Sequence, residues 1–108
     1  MKKLGIDELI GYTIKSYTKE GTIVTEEGEI FEIHLEDDGC GGNDSHAFFE
    51  KFDLDNIIGE KILEIHEEGG TNVDGAVFTL KTKMAMGIIE IVHESNGYYG
   101  WGYEVVIK

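Results

Sequence analysis

Between His34 and His46 the chain reads HLEDDGCGGNDSH, which places two imidazoles, one thiol and four carboxylates within thirteen residues. Nitrogen and sulfur ligands of that kind suit zinc. Closed zinc sites, however, bring a second cysteine or histidine pair at short spacing, and none is present. Asp37, Asp38, Asn43 and Asp44 surround three glycines, as in a calcium loop. Calcium needs six to eight oxygens, and the ordered series of acids that ends in a bidentate Glu is missing. Gly39, Gly41 and Gly42 could instead turn backbone amides toward an anion, although the flanking acids oppose one. Cys40 would act as a nucleophile only with a cation or a helix start beside it, and its sequence neighbours are anionic. The plain alternative is a glycine-rich connection between strands, with Asp38 and Asn43 making local side-chain turns.

A second stretch, His93 to Tyr103 (HESNGYYGWGY), holds four of the six Tyr and Trp residues in the chain. Aromatic rings beside glycines make a surface for stacking a ring or anchoring a protein. Trp101 and Tyr103 are expected in the core, which leaves Tyr98 and Tyr99 as candidates for exposure. If the two stretches meet in space, His34, Asp38, Cys40, Glu94, Tyr98 and Tyr99 form one ligand-binding pocket walled by acid, imidazole and ring. If they lie apart, each is only a connection. No residue is assigned a catalytic role, no cofactor is implied, and metal binding is left open. A P-loop, a dinucleotide fingerprint, a kinase set, a serine elbow and HExxH are all absent from the sequence.

The elements that would position these residues read mainly as strands. GIDELI at 5–10 suggests a short opening helix, with Ile6, Leu9 and Ile10 on one side. From Tyr12 to Leu35, Glu20-Gly21 and Glu27-Gly28 interrupt β-branched runs, which predicts a three-strand meander. In its third strand Phe31, Ile33 and Leu35 alternate with Glu32, His34 and Glu36, so His34 falls on the polar face. A strand follows near 46–52, then a helical turn near Leu54–Ile58 and a strand near 61–67. Phe48, Phe49 and Phe52 also fit a helix over 47–52. Asn96-Gly97 predicts a tight hairpin between the last two strands. That register pairs Val92 with Trp101, Glu90 with Tyr103, Ile88 with Val105 and Met86 with Ile107 on a core-facing side. It sets His93 against Gly100 and Ile91 against Gly102 over a shallow groove. The expected fold is one α+β domain over 1–108, dominated by an antiparallel sheet (meander plus C-terminal hairpin) with one or two short helices.

The 108 residues carry 22 Asp and Glu against nine cations, all of them lysine, for a net charge of −13. Arginine supplies the planar fork that grips phosphate in two places, and it is absent. Polyanions are repelled at long range, so ordinary nucleic-acid binding and an anionic membrane surface are disfavoured, and a basic protein partner is favoured. The lone thiol Cys40 excludes an internal disulfide and fits a reducing compartment. The N-terminal stretch is broken by Asp7 and Glu8, unlike a signal peptide, and no apolar run approaches a membrane span. A cytosolic location is expected, while the choice between monomer and homodimer stays open. About two-thirds of the unfolded surface should be buried in a chain this long, enough for a core without staples.

Cys40 after an acidic strand, Asp53 to Ile62 (DLDNIIGEKI) and Ser95 to Tyr99 (SNGYY) together resemble a family of small uncharacterised proteins encoded mainly by bacteriophages and prophages. The likeness extends over nearly the whole chain. It departs at the cysteine, where the family pattern of a doubled Cys followed by Glu is replaced by Gly39-Cys40-Gly41. The resemblance implies a phage-type accessory protein in a bacterial host cytosol, and it implies no activity. With the charge, it leads to a non-enzymatic binding protein that blocks a host or defence factor through an acidic surface. The alternative is a small-ligand or metal-binding module, including a sponge for nucleotide signals, built from the 34–46 loop and the aromatic hairpin.

Overall fold

The computed structural model describes residues 5–37, 46–69, 75–94 and 101–108; at 36, 37, 46, 69, 93, 94, 101 and 102 it describes the backbone alone. Among the described residues eight strands run in chain order: β1 Ile14–Tyr17, β2 Thr22–Thr25, β3 Ile30–Asp37, β4 His46–Asp53, β5 Glu64–Gly69, β6 Gly75–Lys81, β7 Met86–Glu94 and β8 Trp101–Ile107. They form two antiparallel four-stranded sheets, ordered β1-β2-β3-β8 and β4-β7-β6-β5. Among the described residues the only helical pieces are short 3-10 turns at Ile6–Leu9 and Asp55–Ile57. The α component expected from the sequence is therefore replaced by an all-β architecture. Ile6 and Leu9 are buried in the first turn, but Ile10 points outward.

The predicted meander is present. Gly21 takes φ +114° between β1 and β2, a conformation that β-carbon sterics discourage in other residues. A β-carbon there would also meet the Ile33 carbonyl at 2.7 Å. The second turn is closed by Thr25, whose hydroxyl donates to the Glu29 carbonyl at 2.8 Å and accepts the Glu29 amide at 3.0 Å. In β3, Phe31 and Ile33 are buried, Leu35 packs against the core, and His34 is exposed. The alternation is the one the pattern requires.

Phe48, Phe49 and Phe52 lie on a strand, not a helix. Between Phe49 and Lys51 the β4–β7 register shifts, so that Phe49 sits opposite Ile91 and Phe52 opposite Ile89. A bulge inserts one unpaired residue and reverses the parity of the strand. It lets Phe49 and Phe52, three apart, face the same core, and that spacing is what imitated a helix.

The expected C-terminal hairpin is overturned. β7 is a central strand, flanked by β4 and β6, and β8 crosses to the other sheet to pair with β3. Both hydrogen-bonding edges of β7 are occupied, so no ladder to β8 remains possible. Val92 faces Phe48 and Gly75, and Trp101 faces Asp37. The assumed register also chose the wrong face of β7. Ile89 and Ile91 are buried with Gly87, while Met86 is exposed and Ile88, Glu90 and Val92 are half-buried on the other side. The run Ile88-Ile89-Glu90-Ile91-Val92 is apolar on both faces, so alternation alone could not decide, and a one-residue slip flips every side chain. The groove drawn from that pairing falls with it, since Gly102 lies opposite Glu36. Burial of the Trp101 side chain and the Asn96-Gly97 turn lie outside the described residues.

The core joins both sheets: Ile14, Ile23, Phe31, Ile33 and Val105 from one, and Phe52, Phe78, Leu80, Ile89 and Ile91 from the other. Phe78 meets Tyr103 edge-on at 5.3 Å, and Tyr17 stacks on Phe52 at 5.7 Å. Among the described residues no helix is long and apolar enough to cross a membrane.

Candidate functional site

Ladder pairing brings the flanks of the two sequence-predicted stretches together. Asp37, where β3 ends, is opposite Trp101, where β8 begins; His46, where β4 begins, is opposite Glu94, where β7 ends. Segments 38–45 and 95–100 therefore both connect this end of one sheet to the same end of the other. Gly69 and Gly75, which flank 70–74, lie at that end too, opposite Ala76 and Val92. Of the predicted site residues, Asp38, Cys40, Tyr98 and Tyr99 lie outside the described residues, and Glu94 is placed by its backbone alone.

His34 is placed fully, and it does not reach the flanks. It lies opposite Glu104, three positions before Asp37, or about 10 Å along the strand. Its Nε2 lies 2.9 Å from Glu32 Oε1, and Lys108 Nζ is 3.1 Å from the other Glu32 oxygen. The His34 hydrogen bond, followed by that of Lys108, holds the Glu32 carboxyl below its usual range. Among the described residues no three His, Cys, Asp or Glu side chains are grouped to hold a metal ion.

A cleft of about 510 Å³ opens toward the other end of the sandwich, where β4 ends and β7 begins. Its aromatic wall is Tyr17, Phe49 and Phe52, and its acids are Glu50, Asp53 and Asp55. The DLDN segment builds the acidic lip. Asp53 accepts the Asp55 amide at 3.1 Å, which bends the chain into the 3-10 turn while Leu54 and Ile57 plunge into the core. Gly87 on β7 makes room for that turn, because a β-carbon would stand 2.8 Å from Leu54 Cδ2 and 3.1 Å from the Asp53 carbonyl. Tyr17 donates its hydroxyl to Asp55 Oδ1 at 2.6 Å. Loss of hydration, followed by this bond to Asp55, pushes the Tyr17 hydroxyl above its ordinary value. Sequence reasoning missed the cleft, since its walls come from three separate segments. The legible signals were the helix-like spacing of Phe49 and Phe52 and the Asp-x-Asp step after a strand.

The family described as a domain of unknown function, DUF7448, matches residues 7–105. The chain belongs to this family. Among curated proteins and among solved structures, none matches the chain. The DUF7448 match runs from the first 3-10 turn into β8, so it takes in both the paired flanks and the cleft.

The cleft of this DUF7448 domain sets aromatic rings beside carboxylates and two lysines. Its tyrosine serves as a donor to the Asp55 carboxylate. Rings beside acceptors are a binding surface for a positively charged group.

Proposed function

We propose that this domain is a non-enzymatic binding protein that engages a basic protein partner through its acidic surface. In the fuller form of the proposal it is a phage-type accessory protein that occupies a basic cleft of a host or defence factor in the bacterial cytosol. The observation that carries the reading is charge left uncompensated. Among the described residues the only lysine–carboxylate ion pair is Lys108–Glu32, on a chain of net charge −13. Exposed acids occur on the first 3-10 turn (Asp7, Glu8), on the β2–β3 turn (Glu26, Glu27) and along β5 (Glu64, Glu67, Glu68). Burial, followed by the nearby charge of Glu67, raises the hydroxyl of half-buried Tyr103 above its ordinary value. A field of one sign steers an oppositely charged protein and speeds encounter. The test is the association rate of the captured partner across a salt series. A steep fall is expected as the screening length shrinks toward roughly 8 Å at physiological ionic strength. An on-rate indifferent to salt contradicts the reading.

A second reading is supported by the paired flanks Asp37–Trp101 and His46–Glu94. It is a ligand module in which Asp38, Cys40, Tyr98 and Tyr99 share a site. Native mass spectrometry of protein purified from cells decides it: a retained small-molecule mass that is lost in Cys40→Ser and Tyr99→Ala supports it, and a bare chain mass counts against it.

A further inference from the structure

We infer that the Tyr17–Asp55 cleft is a socket for a guanidinium group carried on an apolar stem. This rests on the basic-partner reading and names where the partner is gripped, with an arginine side chain as the natural carrier. The acceptors come first. Asp53 uses one carboxylate oxygen for the Asp55 amide, and Asp55 uses one for the Tyr17 hydroxyl. Among the described residues neither second oxygen has another hydrogen-bond donor, and Glu50, Asp53 and Asp55 form no ion pair. Two fixed carboxylates, each with one oxygen free, match a planar donor fork better than a point charge. Both are anchored before any ligand arrives, one by a backbone turn and the other by a phenol, which limits the ordering that binding must impose.

The walls agree with that choice. Tyr17 is half-buried and stacks with one face on Phe52, while Phe49 meets Phe52 edge-on at 5.0 Å. The cleft therefore offers aromatic surface beside carboxylates, the arrangement that attracts a weakly hydrated planar cation. Met86, exposed at the rim, is an adaptable apolar contact for the stem. Lys19 and Lys51 also line the cleft, giving three carboxylates against two ammonium groups. Because acids outnumber lysines in the lining, a cation is the favoured occupant, and removing Lys51 should tighten its hold.

The experiment is calorimetric titration with capped Gly-Arg-Gly and its lysine and norleucine counterparts, with agmatine, and with inorganic phosphate. The arginine peptide is expected to bind several-fold more tightly than the lysine peptide, with the norleucine peptide and phosphate silent. Asp55→Asn should weaken the arginine peptide about tenfold, as expected for loss of one charge-assisted contact. Tyr17→Phe should weaken it less, Lys51→Ala should strengthen it, and Glu104→Gln on β8, at the edge of its sheet opposite β1, should leave it unchanged. A cooperative thermal transition above the titration temperature shows that each variant is folded, and Lys51→Ala tests the site by a gain that misfolding cannot mimic. Agmatine binding as well as the peptide assigns the socket to free guanidinium compounds too, whereas peptide binding alone assigns it to a protein side chain. Equal binding of all three peptides, binding of phosphate in their place, or an Asp55→Asn variant of full affinity overturns the inference. If Asp55→Asn keeps full affinity while partner association stays salt-sensitive, the socket fails and the acidic-surface reading stands. If partner association ignores salt, that broader reading fails by itself.

Discussion

The two ends of the sandwich are built by different means. At one end Asp37–Trp101 and His46–Glu94 are held in register by backbone ladders, and nearly every residue that sequence motifs singled out lies at or beyond them. At the other, a cleft is shaped by interlocked side chains: Gly87 under Leu54, Tyr17 on Phe52, and Asp55 tied to Tyr17. By strand rise the two ends of β7 stand about 26 Å apart. Residue-type motifs point to connections because chemistry-bearing side chains gather there. A cavity is a property of packing between segments distant in the chain, and no local pattern announces it.

If the cleft end owes its shape to packing, Gly87→Val should show the largest effect. Its new side chain must displace Leu54 and Ile57, at an overpacking cost of about 1–3 kcal/mol. Thermal unfolding checks this, at roughly 4–8 °C per kcal/mol for a domain near this size. A wild-type midpoint would mean that the wall is looser than described. Gly21→Ala should follow, at about 1–2 kcal/mol for the left-handed conformation, with further loss from the close Ile33 carbonyl.

Tyr17→Phe should cost about 0.5–1.5 kcal/mol, toward the lower figure because the pair is exposed. The same bond sets a pH signature. The folded Tyr17 value is raised, so its contribution is complete below pH about 10 and is lost as pH rises past it. Tyr17→Phe should therefore flatten the alkaline limb of the stability profile.

The smallest effect belongs to acid. Glu27 accepts the Thr13 amide at 2.9 Å, and that bond first of all holds its carboxyl below the usual range. Its contribution is present above pH about 4.3 and is lost as pH falls through the lowered folded value. Glu27→Gln should flatten the acidic limb slightly, read by denaturant titration between pH 3 and 6. An unchanged limb would mean that this bond does not contribute to stability.

How far the sequence was legible follows the same division. Turn chemistry at Gly21 and Gly28 and the alternation of Phe31, Ile33 and Leu35 revealed the meander because both signals are local. The partner of β7 was not legible. A strand apolar on both faces fits either side of a sheet, and Asn96-Gly97 suggested a neighbour that two other strands had already displaced. Near 46–52 the strand reading was correct, and Phe49 and Phe52 kept a helix open beside it because one bulge gives a strand the spacing of a helix. His34 was placed on the correct face, but its position three residues short of the flank depended on a strand length that the pattern does not define.

Heteronuclear NMR titration with capped Gly-Arg-Gly tests both ends of the sandwich at once for the grip of a basic partner at the cleft. Shifts confined to the Tyr17, Phe49, Phe52 and Asp55 signals are expected, fading as salt is raised. Shifts centred instead on the backbone of His46, Glu94 and Trp101, or an identical response to the norleucine peptide, would contradict it.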